Sequence, residues 1–306
     1  MSFEQLTEHA SDIQFKATKH ALDHREQEAV YGRNGVSGYY SDIHGLFKPF
    51  SGMPDPARYQ PLIEDFRIAL RGLSNGADNQ DPINNRDIYP ANPTLAEMTT
   101  ASDYLEDWTG KAAMLFKQKF LDPFPPICRN QFILTSVLKS ALEAHQAMWA
   151  SARVDIDKIA HTTIDAFDNA GGCSKNSWNV TFTVFSSVAA IGAAALAAVP
   201  TLGASVPVAI TAVGAAAQVA ATSPPEGLGE MPASGETALQ ITDVMKAAIR
   251  EVTAQVSKVE AKISQALASM TDLVSGSNGL FVAARPLLAS VPPGGITGQE
   301  GLGTSD

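Results

Sequence analysis

Apolar residues recur every three or four positions along most of this chain, a period that predicts helices rather than strands. Near the start, Phe3, Leu6, Ala10, Ile13, Ala17 and Ala21 form one stripe with charges opposite, so this helix needs a partner. Asp55 is a good N-cap and Pro56 suits a first helical position. They open a second helix with Tyr59, Leu62, Ile63, Phe66, Ile68, Leu70 and Leu73 as its apolar set. Thr94 and Glu97 fit the reciprocal capping box, which predicts a helix from Leu95 to Trp108. Helical character resumes after Gly110 through Ala112, Ala113, Leu115, Phe116 and Phe120. "DPFPPI" at 122–127 should interrupt it, since its prolines remove amide donors and clash with the preceding turn.

Two long helices are then expected. One runs from about Cys128 to Asn169, with Phe132, Val137, Leu138, Leu142, Trp149, Ile156, Ile159 and Phe167 among its apolar positions, and "GGC" ends it. The other runs from about Thr237 to Ser275. Its seam of Met245, Ile249, Val252, Val256, Val259, Ile263, Leu267, Met270 and Val274 alternates by three and four, as in a coiled coil, and Gly276 stops it. At about 1.5 Å per residue each approaches 60 Å, so the two can pair antiparallel.

Between them, residues 176–225 contain no charged side chain and are rich in alanine and glycine. Each half, on either side of Pro200, is near the roughly 20 residues needed to cross a bilayer, although alanine makes a weaker span than leucine. Small residues four apart, such as Ala189, Ala193 and Ala197, would allow close helix contact. Three readings stay open for this segment: a helical hairpin packed against protein, a membrane-inserting hairpin, or a low-complexity stretch without fixed structure. The membrane reading rests on Phe182, Val184, Phe185, Ile191, Leu196, Val199, Val206, Val208, Ile210 and Val213.

The expected class is therefore all-α, an elongated helical bundle. Its segments are N-terminal helices and loops over 1–93, a helical hairpin over 94–172, the uncharged hairpin over 173–225, the long C-terminal helix over 226–276, and a largely disordered tail over 277–306. The chain has 306 residues, of which 45% are hydrophobic, enough for a substantial core. Its net charge of −10 argues against nucleic acid, whose phosphates want a basic face. The N-terminal stretch carries acids from Glu4 onward without a continuous apolar run, so a cleaved signal peptide is not expected. The two cysteines, Cys128 and Cys173, would stand about 60 Å apart on the ends of a helix, far beyond the roughly 7 Å that a disulfide spans. Both are expected to be free thiols.

Candidate chemistry is sparse. The sequence shows no glycine-rich phosphate loop, nucleophile elbow or Cys-x-x-Cys motif, so neither an enzyme nor a cofactor is expected. The loop 74–93 holds Asp78, Asp81 and Asp87 among five asparagines but lacks the central glycine and closing glutamate of a calcium loop. It reads as a solvated connector. His20 and His24 lie four apart on one helix, yet without the glutamate of a zinc-protease motif they read as a solvated pair. No metal is expected.

The bend at 108–110 carries the sharpest signal. Two helices that reverse direction need a residue tolerant of unusual backbone angles, which Gly110 supplies, and a cover for the exposed end, which the Trp108 indole supplies. "DWTGKAAMLFKQKF", with Trp108, Gly110, Ala112, Ala113 and Phe116, resembles the Trp-X-Gly helical hairpin of type VII (ESX) secretion substrates in actinobacteria. "LKSALEAHQAMWASARVDIDKIAHTTIDAFDNAGG" is similar to the second helix of those proteins, and together they cover residues 95–172. The resemblance implies an exported, non-enzymatic helical protein, moved without a cleaved signal peptide. Its partners would be the secretion machinery, a Trp-X-Gly protein, or further copies of itself. The family's secretion signal is Tyr-x-x-x-Asp/Glu after the hairpin, and no tyrosine here has an acid four residues on; His161 with Asp165 occupies the comparable place. The chain also resembles the larger PE/PPE-like members in size and added helices, without their Pro-Glu signatures. A second resemblance follows from two long helices joined by an uncharged segment. It is to α-helical cytolysins, whose soluble form hides an apolar tongue and exposes it on membranes.

Overall fold

The computed structural model describes residues 3–24, 35–76, 79–83, 87–101, 111–170, 178–183, 230–235 and 237–283. Among them the fold is all-α, a helical bundle with a single two-stranded ribbon. The helices are α1 (Phe3–Asp23), α2 (Gly35–Tyr39), α3 (Ile43–Phe47), α4 (Tyr59–Leu73), α5 (Pro93–Thr100), α6 (Lys111–Phe116), α7 (Phe124–Ala170) and α8 (Ala238–Gly276), the last two being much the longest. Strands β1 (Trp178–Thr183) and β2 (Glu230–Gly235) lie between α7 and α8.

The chain forms two compact units. The first comprises Met1–Tyr59, Ala144–Ala193 and Ala221–Ile263. Here the stripe of α1 is buried as its period requires, with Leu6, Ala10, Ile13, Ala17 and Ala21 all hidden. Tyr40, Ile43 and Phe47 are buried in the short helices that α1 packs against. From α7, Ala144, Met148, Ala152, Ile156, Ile159 and Ala160 add a face whose small residues permit close helix approach, and from α8, Ile241, Met245, Ala248 and Val252 do the same. Asp55 caps the turn that leads into α4, accepting from Ala57 N at 3.1 Å with Pro56 in the first position. That cap is fastened to α7 by Gln146 Nε2, which donates to the Pro56 carbonyl at 2.9 Å, and by a Tyr59 hydroxyl–His145 Nδ1 bond of 3.0 Å.

The second unit comprises Gln60–Glu143, Ala194–Ala220 and Ser264–Asp306. Leu70, Tyr89 and Phe132 form one core cluster, and Ile83, Val137 and Met270 another. Just past α8 the chain is tied to α7: Asn130 Nδ2 donates to the Leu280 carbonyl at 2.8 Å and Gln131 Nε2 to that of Phe281, whose ring is buried. A tail expected from 277 therefore starts no earlier than 284.

Several boundaries differ from expectation for local reasons. Asn92, not Thr94, caps α5, accepting from Thr94 N at 3.1 Å with Pro93 in the first position; α5 ends at Thr100, and residues 102–108 of the expected helix lie outside the described residues. "DPFPPI" interrupts the helical run as expected, at the turn Asp122–Pro123, but its later prolines open the next helix. Pro125 and Pro126 fall in the first turn of α7, where their missing amides leave no bond unmade. Ahead of them Lys117–Leu121 form a π-helical turn, closed by Asp122 N donating to the Lys117 carbonyl at 2.9 Å. The reciprocal capping box appears instead at α8: Gln240 N donates to Thr237 Oγ1 at 3.2 Å and Thr237 N to Gln240 Oε1 at 3.3 Å.

Candidate functional site

The segment that carries the functional question leaves α7 and returns into α8. The structure corrects the helical-hairpin expectation at its entry, because Phe182 lies in β1 and not in a helix. β1 pairs with β2 antiparallel over its full length, from Trp178 opposite Gly235 to Thr183 opposite Glu230. Val180, Thr181 and Phe182 give β1 the β-branched and aromatic character that suits a strand. Pro232 is tolerated in β2 because a two-stranded ribbon consists only of edge strands. Both ends of residues 184–229 are thereby drawn to one place. Val184, Phe185, Ile191, Leu196, Val199, Val206, Val208, Ile210 and Val213 lie outside the described residues. Among the described residues, no helix is long and apolar enough to cross a membrane.

Trp108 and Gly110 also lie outside the described residues; α5 precedes them and α6 follows. His161 and Asp165 are both exposed on α7. His161 engages the residue one turn before it, with Nδ1 2.9 Å from the Asp157 carbonyl and 3.4 Å from its Oδ1. The pair His20–His24 is not solvated as a unit. His20 is buried, its ring stacked on His24 with centroids 4.1 Å apart and tilted against Phe167. Cys128 is a free buried thiol, and burial pushes its pKa up. Cys173 lies outside the described residues.

The densest polar cluster is one the sequence pattern hid. Lys139, on α7, is fully buried, and its Nζ stands 2.7 Å from Asp81 Oδ2, 2.5 Å from Asp87 Oδ2 and 3.6 Å from Glu143 Oε1. It also donates to the Tyr89 hydroxyl at 3.2 Å. Asp81 is itself wholly buried, its Oδ1 accepting from Ile83 N at 2.9 Å. The loop expected to be a solvated connector is thus a folded element. Asp81 N donates to the Asp87 carbonyl at 2.8 Å and Tyr89 N to the Asn79 carbonyl at 2.7 Å, and the buried ammonium gathers the acids. Burial alone would pull Lys139 down. Hydrogen bonds to Asp81 and Asp87, with the charges of Asp81 and Glu143, outweigh it and hold the ammonium above its ordinary value. Burial pushes Glu143 up, against the pull of Lys139 and Arg67. Enclosed by three acids and the Tyr89 hydroxyl, the ammonium ties the loop to α7, and the cluster is a structural staple. The signal for it was a lysine in phase with buried Phe132 and Ser136, downstream of an acid-rich loop.

Comparison with known proteins adds no relative: no family model, curated protein or solved structure matches the chain. The assignment that stands is one of class, an all-α bundle whose two longest helices are separated by a β-ribbon and a charge-free segment.

Proposed function

We propose that this chain is a helical, non-catalytic protein that acts on lipid bilayers through the charge-free segment gathered by β1 and β2. One observation carries the reading: the ribbon brackets an alanine-rich stretch whose one charge is Glu226, between the two longest helices among the described residues. A core-filling stretch would have no need of such a closure. A tongue that changes its surroundings does, because the ladder hydrogen bonds satisfy the backbone at its base whatever its tip contacts. Membrane contact falls on residues 184–229, since no described helix is apolar enough to span.

The test replaces residues 184–229 by Asn-Gly, a turn suited to joining Thr183 directly to Glu230. The full chain is expected to release dye from phosphatidylcholine vesicles. The shortened chain should keep its helical circular dichroism and release none. A full chain that neither binds nor permeabilises such vesicles would overturn the reading.

Delivery is a separate question. The helices α5 and α6, on either side of Trp108 and Gly110, favour a second reading compatible with the first, in which the protein is an exported cargo of a type VII system. His161 and Asp165 would then stand in for its missing tyrosine signal. Export that survives both Trp108→Ala and Gly110→Val would refute it.

A further inference from the structure

Where α1 meets α7, two imidazoles and a carboxylate converge. His9 lies on α1, while Asp157 and His161 are one turn apart on α7 and therefore share a face. One nitrogen of each imidazole and one carboxylate oxygen all lie within 4.8 Å of one another. His9 Nε2 is 3.9 Å from Asp157 Oδ1, and His161 Nδ1 is 3.4 Å from the same oxygen. The two rings meet edge to face with centroids 4.5 Å apart. At these separations the three groups gather without forming good hydrogen bonds to one another.

We propose that His9, Asp157 and His161 form a Zn²⁺ site that clips α1 to α7. Ligands at about 2.0–2.2 Å from a tetrahedral ion stand roughly 3.3–3.5 Å apart. The Asp157–His161 spacing already meets that value, and the others need closures of about an ångström. His161 is 56% exposed at its side chain, and on binding its Nδ1 would exchange the 2.9 Å contact with the Asp157 carbonyl for the ion, with water filling the fourth position. Two imidazoles with one carboxylate form a borderline donor set that suits Zn²⁺ better than Ca²⁺ or Mg²⁺, which prefer all-oxygen shells. The clip would have company along α1, where Lys16, two turns on from His9, forms an ion pair with Asp168.

Calorimetric titration of the metal-stripped full chain with Zn²⁺ tests this. Saturable binding of one ion per chain is expected, together with a Zn²⁺-dependent rise in melting temperature. Loss of a ligand should cost more than the roughly 10- to 100-fold lost with an outer-shell partner, so His9→Ala and His161→Ala should each weaken binding at least that far. Because His161 is exposed, its variant should fold. His24→Ala should leave affinity unchanged. No saturable binding, binding that survives His161→Ala, or binding lost in His24→Ala would each overturn the assignment.

Discussion

Residues 74–92 and residues 176–225 both connect helices, and their compositions are opposite. The first is crowded with aspartate and asparagine, yet Asp81 and Ile83 are buried in it and a fully hidden lysine on α7 holds it in place. The second has no charge at all, and what fixes its ends is a backbone ladder from Trp178 to Thr183. A polar loop can be interior when each charge meets a counter-charge, and an apolar one can depend on main-chain hydrogen bonds at its base. Composition reports what a segment could touch, whereas partners decide where it goes.

The largest effect is expected from breaking the lysine staple. Asp81→Ala leaves a buried ammonium short of its counter-ion and should cost about 3–5 kcal/mol in urea unfolding. Pairing Lys139→Met with Asp81→Leu should recover most of that loss, because replacing both partners removes the orphaned charge. The pH dependence has a definite sign. Lys139 is raised from 10.5, so its contribution is full below that value and fades only as the pH climbs past the raised one. The stability gap between wild type and Lys139→Met should accordingly stay level from neutrality to about pH 10 and narrow above it.

On the apolar side, Ile210→Lys places a charge inside the uncharged segment. A lysine at a membrane-buried position costs about 2.5–3.5 kcal/mol, so vesicle leakage should fall about 100-fold. Unchanged leakage would argue that position 210 never meets lipid. Gly76 is the next test of the polar connector. Its φ of +85° is unfavourable for a side chain, and an added Cβ would lie 2.9 Å from that of Ala91. Gly76→Ala should cost about 1–3 kcal/mol, read from the thermal midpoint. The smallest effect is expected at the start of α8, where Thr237→Ala removes half of a reciprocal cap and should cost about 1 kcal/mol.

Much of the helical fold was legible. The α1 stripe from Leu6 to Ala21 is buried at the positions its spacing marks, as is the α8 seam except for the half-buried Leu267 and Val274, and α7 ends within a residue of the glycine signal. The misreadings share a cause, which is that local rules name a device without saying which residue will use it. Asn92 took the cap that Thr94 also fitted, and the prolines after Asp122 both break the preceding helical run and open α7. The ribbon went unread because six residues of strand character were set against a long alanine-rich run whose helical signal is stronger. Lys139 went unread because its counter-ions lie more than fifty residues upstream, and periodicity within one helix carries no information about them.

The π-helical turn at Lys117–Leu121 bears on how this chain can change by insertion and deletion. Such a turn holds one residue more than an α-helix would, so removing Gln118 should convert it to ordinary helix and rotate everything N-terminal to it by about 100°. Phe116 now stacks on Phe120, whose ring is tilted against Phe124, and that rotation would take the rungs out of line. A single-codon deletion would thus re-aim the whole preceding helix while leaving its sequence intact.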